Sequence, residues 1–234
     1  MLREERWAEA VDFLEKVPTT YLNNQGIATY TKFYDYGKPR WMGKQHIPKG
    51  TDWEHPNLKS NKKIEFCKDM QKLVKDYGKA SGENKYKLAY RLATLYYQAS
   101  YMGDCWYLTQ YGQSAADRQR SYAHDFVAAA LNYLEVAKNT TDKSMHTEVL
   151  YARAFIPRDK WFITGYDEQS YEAFYQLQPQ SRQFKALQEL SEAARQGAPD
   201  YVTRCNVLKL FSRETRNGTA GRRLSGNNKY FLAW

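Results

Sequence analysis

The sequence predicts an all-α fold of stacked antiparallel helical hairpins. Three observations carry this. Apolar residues recur at three- and four-residue spacing through most of the chain. No segment alternates apolar and polar residues as a half-buried strand would. Proline and glycine fall between the periodic segments, so helices of moderate length are joined by short turns.

The first element spans residues 6–17, where Trp7, Ala10, Val11, Leu14 and Val17 share a face and Pro18 ends the helix. Residues 30–58 read as an irregular insertion, because Pro39, Pro48 and Pro56 alternate with Gly37, Gly43 and Gly50. Its Trp41 and Trp53 are expected to pack on the helical body, since exposed indoles forfeit a large apolar area. Helical spacing resumes near residue 61 with Ile64, Phe66, Cys67, Met70, Leu73, Val74 and Tyr77, and Gly78 with Ser81-Gly82 is expected to break it. A helix follows over 84–101, with Leu88, Ala89, Leu92, Leu95, Tyr96 and Ala99 on one side. Gly103 suits a left-handed residue past the helix end, and Asp104 is placed to cap a further helix carrying Trp106, Tyr107 and Tyr111. Further helices are predicted at 124–138, 143–156, 181–196 and 200–214, punctuated by Pro157, Gly197 and Pro199. Residues 1–216 form the predicted helical-repeat domain; 217–234, rich in glycine, asparagine and basic residues, form a flexible basic tail.

Composition narrows the function classes. With 42% hydrophobic and 26% charged residues, the 234-residue chain is expected to fold and bury a core. No apolar run reaches the roughly 18–20 residues of a membrane span. The amino-terminal residues are charged and lack the apolar stretch of a signal peptide. This predicts a cytoplasmic product or, because residue 6 already lies within a helical pattern, a fragment of a longer chain, in the cell envelope or periplasm if that chain is exported. Cys67, Cys105 and Cys205 have no Cys-x-x-Cys spacing and read as buried thiols, with pairing of Cys105 to either other cysteine left open.

The net charge of +9 is uneven. Residues 59–91 hold ten basic and four acidic residues, and 204–229 hold seven basic and one acidic. The first reading is solvated helix faces; the alternative is a nucleic-acid or anionic surface that uses both segments.

No cofactor is implied. Glycine-rich phosphate loops are missing, and His46, His55, His124 and His146 form no i, i+4 pair for zinc. Cys105 and His124 are the one conceivable nucleophile and base, but turn and packing roles explain the Gly103–Trp106 segment better. Tyrosine is abundant at 20 residues. Tyr96, Tyr97, Tyr101, Trp106, Tyr107 and Tyr111 are the candidate binding residues, either as interhelical packing or as a concave aromatic surface for a peptide or glycan.

Two likenesses point to repeats. Ala10-Val11-Asp12-Phe13-Leu14-Glu15 recurs 120 positions on as Ala130-Leu131-Asn132-Tyr133-Leu134-Glu135. Residues 92–97 and 7–17 resemble the first and second helices of a tetratricopeptide repeat. The run Leu92–Ser114, with Gly103-Asp104-Cys105-Trp106-Tyr107-Leu108-Thr109 at its centre, resembles large uncharacterised proteins of Bacteroidetes. Lys63–Cys67 and Cys205–Leu208 fit as well. That resemblance spans residues 6–211, as the C-terminal part of longer chains, and the tail from Ser212 departs from it. It implies helical repeats in a cell-envelope setting and no activity. The expected function is therefore a non-enzymatic scaffold that binds a protein or peptide.

Overall fold

A computed structural model describes residues 1–25, 27–39, 41, 49–52, 54–100, 102–109, 126–156, 182–196 and 208. Among them lie eight α-helices, two short 3-10 turns and no strand, as an all-α class requires. The chain divides into two units, Met1–Val136 and Ala137–Trp234.

In the first unit a 3-10 turn, Leu2–Glu4, leads into α1, Trp7–Leu14, which buries Trp7, Ala10 and Val11. It stops one turn earlier than expected. Pro18 disfavours helical backbone at Val17, and the chain tightens into three-residue bonds from Lys16 N to Phe13 O and Val17 N to Leu14 O. Two short helices follow, α2 (Thr19–Asn23) and α3 (Ala28–Phe33). Both are too short to show a periodic face, and α3 runs into the stretch expected to be irregular. Past it, Tyr34, Tyr36, Trp41 and Leu58 are buried. The Trp41 ring lies 5.9 Å from Tyr90 and 5.3 Å from Tyr97, which bears out its expected packing. Trp53 lies outside the described residues.

Two 18-residue helices form the body of this unit: α4, Lys62–Lys79, and α5, Gly82–Ala99. Asn61 caps α4, its side-chain oxygen accepting from Lys63 N at 3.0 Å. Of the expected break at Gly78 and Ser81-Gly82, the second part holds and the first does not: the helix passes through Gly78. The chain turns instead at Ala80-Ser81, and Gly82 takes the left-handed φ of +54°. The two helices pack on each other, and α1 packs on α4. Trp7 meets Phe66 edge-on at 5.7 Å. The sixth helix, α6 (Phe126–Ala137), adds Phe126 and Tyr133 against Tyr96.

Residues 92–100 are buried on every side, whereas one apolar face was expected. Their polar groups are paired. Thr94 Oγ1 donates to Tyr90 O at 3.0 Å. Gln98 Nε2 donates to Lys38 O at 3.0 Å, while Gln98 Oε1 accepts from Asp104 N at 3.1 Å. This one amide joins α5 to the irregular segment on one side and to the following turn on the other.

That turn corrects two expectations. Gly103 is not left-handed, since the only described glycines with positive φ are Gly50 and Gly82. It is required by close approach: a Cβ there would collide with the backbone of Gln98 and Tyr97. Nor does Asp104 cap a long helix. A 3-10 turn, Trp106–Leu108, begins after Cys105 without a side-chain cap. Cys105 N bonds back to Gln98 O at 3.0 Å, so the turn is held on α5 and cannot start an independent helix.

In the second unit, Asp142 caps α7 (Lys143–Phe155), its carboxylate accepting from Ser144 N and Met145 N. The last described helix, α8 (Arg182–Arg195), packs on α7. Glu189 there accepts from Lys138 at 2.8 Å and Arg153 at 3.1 Å. Of the predicted helix at 200–214 only Leu208 is described, and it is helical; the tail 217–234 lies outside the described residues.

Candidate functional site

Of the six candidate aromatics four are described, and three of these are interior. Tyr96, Tyr97 and Tyr107 are 2%, 6% and 1% exposed, and each hydroxyl donates within the molecule. Tyr96 Oη bonds Glu5 at 2.9 Å, Tyr97 Oη bonds Trp41 O at 3.1 Å, and Tyr107 Oη bonds Tyr34 O at 3.4 Å. Burial, with Glu5 beside Tyr96 and Cys105 beside Tyr107, pushes both phenols upward, so they stay neutral donors. These three act as interior struts. Trp106 is half-buried, its ring 6.4 Å from Tyr30. Tyr101 and Tyr111 lie outside the described residues.

Cys105, just before the 3-10 turn, is fully buried. Burial pushes its thiol up to about 12, against a smaller opposing pull from the Tyr107 hydroxyl. Such a thiol is protonated at neutral pH and is a poor nucleophile. Cys67 is likewise buried, its thiol pushed up to about 11 by burial, with Lys63 pulling the other way. Both thiols are free, so the Cys67–Cys105 pairing left open by spacing is not made. Cys205 and His124 lie outside the described residues, as does His46. His146 Nδ1 is 2.9 Å from Lys138 O, and the exposed His55 Nδ1 is 3.1 Å from Asp52. Among the described residues no three histidine, cysteine or carboxylate side chains gather as a metal site would require.

The outer surface carries the features that interior packing does not consume. Phe13 is 55% exposed and Tyr21 57%. Sequence likeness aligns Phe13 of α1 with Tyr133 of α6, yet their surroundings differ. Tyr133 meets Tyr77 edge-on at 5.2 Å and stacks on Tyr96 at 5.6 Å. Phe13 has the Lys16 ammonium 5.0 Å above its ring and a solvent-facing flank. The second feature is on α4, where Lys68, Lys72, Lys75 and Lys79 are all exposed. The charge count over residues 59–91 points to these lysines. Phe13 carries no comparable signal in the sequence, because its spacing from Ala10 and Val17 is also that of a core residue.

Compared with protein-family models, with curated proteins and with solved structures, the chain matches none.

Proposed function

We propose that this chain is a non-enzymatic, tetratricopeptide-like scaffold whose hairpins stack and present helix faces to a protein or peptide partner. One observation supports this above the others: Phe13 is bare where its counterpart Tyr133 is sandwiched by aromatics. Phe13, with more than half of its surface in water, is available to a partner, and aromatics are the usual anchors of protein interfaces. Tyr21, on the next helix, is a second exposed aromatic. The resemblance to large Bacteroidetes chains fits a module that docks onto other envelope proteins, and stacked hairpins supply a broad surface for that.

The test is retention of a partner from an extract of the source organism, comparing wild type with the double variant F13S/Y21S. Wild type is expected to retain a discrete protein that the variant loses while keeping its helical circular dichroism. Equal retention by both, or none by either across several salt conditions, would overturn the reading.

A further inference from the structure

We propose that the lysine row on α4 docks the phosphate backbone of double-stranded nucleic acid, without reading its sequence. This goes beyond the scaffold reading and uses different residues.

Positions 68, 72, 75 and 79 advance by four, three and four residues. At about 100° per residue they stay within an arc of roughly 60°, and at 1.5 Å per residue they span about 16 Å. All four side chains are exposed. The carboxylates of α4 stay ionised, but by helical spacing Glu65, Asp69 and Asp76 fall together on one flank of the row, and each already has a partner. Asp69 accepts from Tyr36 Oη at 2.8 Å, and Glu65 is held by Ser60 and Lys62. Asp76 is the acid closest to the row. It takes a hydrogen bond from Lys72 at 2.7 Å, and Lys79 and Lys75 add their charge, so its carboxyl stays below its ordinary value. At the other end Lys68 meets Glu15 of α1 at 3.2 Å. Both pairs are exposed, and such pairs contribute little, so a phosphate can replace the carboxylate.

The row suits a polyphosphate better than an acidic protein. A duplex carries a charge about every 1.7 Å of axis, so a straight row about 16 Å long meets phosphates in any register. The residues beside it, Gln71, Val74 and Gly78, supply neither a pocket for an apolar anchor nor an aromatic platform for bases. Phosphate pairing of this type positions a duplex and carries no sequence information.

The experiment is fluorescence anisotropy of a labelled DNA duplex of mixed sequence, about 30 base pairs long, titrated with the full chain from low to moderate salt. Wild type should bind at low salt and lose affinity steeply as salt rises. K75Q/K79Q should weaken low-salt binding by about tenfold and flatten the log–log salt slope by about 2, roughly one for each phosphate that is no longer neutralised. R222Q/R223Q, in the tail, should leave more of the slope intact, and thermal melting should show that both variants fold. The proposal fails if wild type does not bind at low salt, or if K75Q/K79Q binds like wild type. It also fails if a polyglutamate peptide competes as well as unlabelled duplex at equal charge, because the row would then be a site for acidic protein. Since Phe13 is not in the row, F13S/Y21S should bind DNA normally, which separates this result from the scaffold test.

Discussion

The helices α4 and α5 have the same length and are joined by two residues, yet they meet opposite environments. Helix α4 buries Phe66, Cys67, Met70 and Leu73 on one side and keeps lysines in water on the other. The second half of α5 has no solvent side. Trp41, Asp104 before the 3-10 turn, Phe126 of α6 and Glu5 near the amino terminus all reach it. The difference teaches that an amphipathic helix needs one neighbour, whereas an enclosed helix must also have every polar group answered from outside. Gln98 does this with both ends of a single amide.

Substitutions can break or sharpen this contrast. The largest effect is expected from one glycine change made on each side of it. Gly103→Ala forces a methyl into the Gln98 and Tyr97 backbone and should lower unfolding stability by about 3 kcal/mol or more. Gly78→Ala, on the open side of α4, meets nothing and should raise it by up to about 0.5 kcal/mol. Urea denaturation of both proteins tests the pair; similar values of one sign would show that the turn does not press on α5 as described.

Next in size is the aromatic pair. Tyr133→Ser, which removes the ring packed on Tyr77 and Tyr96, should cost about 2 kcal/mol, and Phe13→Ser less than about 0.5 kcal/mol. Equal costs would mean that Phe13 is covered within the chain.

The smallest expected effect is a pH dependence on the boundary between the two faces of α4. Lys63 is half-buried, and burial pulls its ammonium down to about 8 despite the opposing influence of Cys67. The folded chain therefore releases this proton near pH 8, and the unfolded chain keeps it until about 10.5. Below about pH 8 the buried charge weakens the fold; from about pH 8 to 10.5 this residue's contribution makes stability rise with pH. Lys63→Met should thus stabilise the protein by about 1–2 kcal/mol at about pH 7, with the advantage gone near pH 10.5. An advantage independent of pH, seen in chemical denaturation at about pH 7, 9 and 10.5, would remove the buried charge from the explanation.

Much of this was legible in the residues. The positions of α1, α4, α5, α6, α7 and α8 follow from apolar periodicity and the proline and glycine stops. The enclosure of α5 had a signal as well: no charged residue falls between Arg91 and Asp104. The short helices α2 and α3 had none, because five or six residues cannot display a repeat. The aromatic candidates were the least legible. A tyrosine that lines a groove and one that braces a core have the same spacing, and the hydroxyl partners come from Glu5, Tyr34 and Trp41, far away in the chain.

By itself the sequence determined that this chain is helical, where most helices start and stop, and that residues 59–91 are basic, because these depend on neighbours within a few residues. Only the tertiary structure decided that Gly103 serves close packing, that the hydroxyls of Tyr96, Tyr97 and Tyr107 are spent on Glu5, Trp41 and Tyr34, and that Phe13 is mostly in water while Tyr133 packs on Tyr77 and Tyr96. Those outcomes depend on which distant segments come to cover each helix face, and local periodicity contains no information about that.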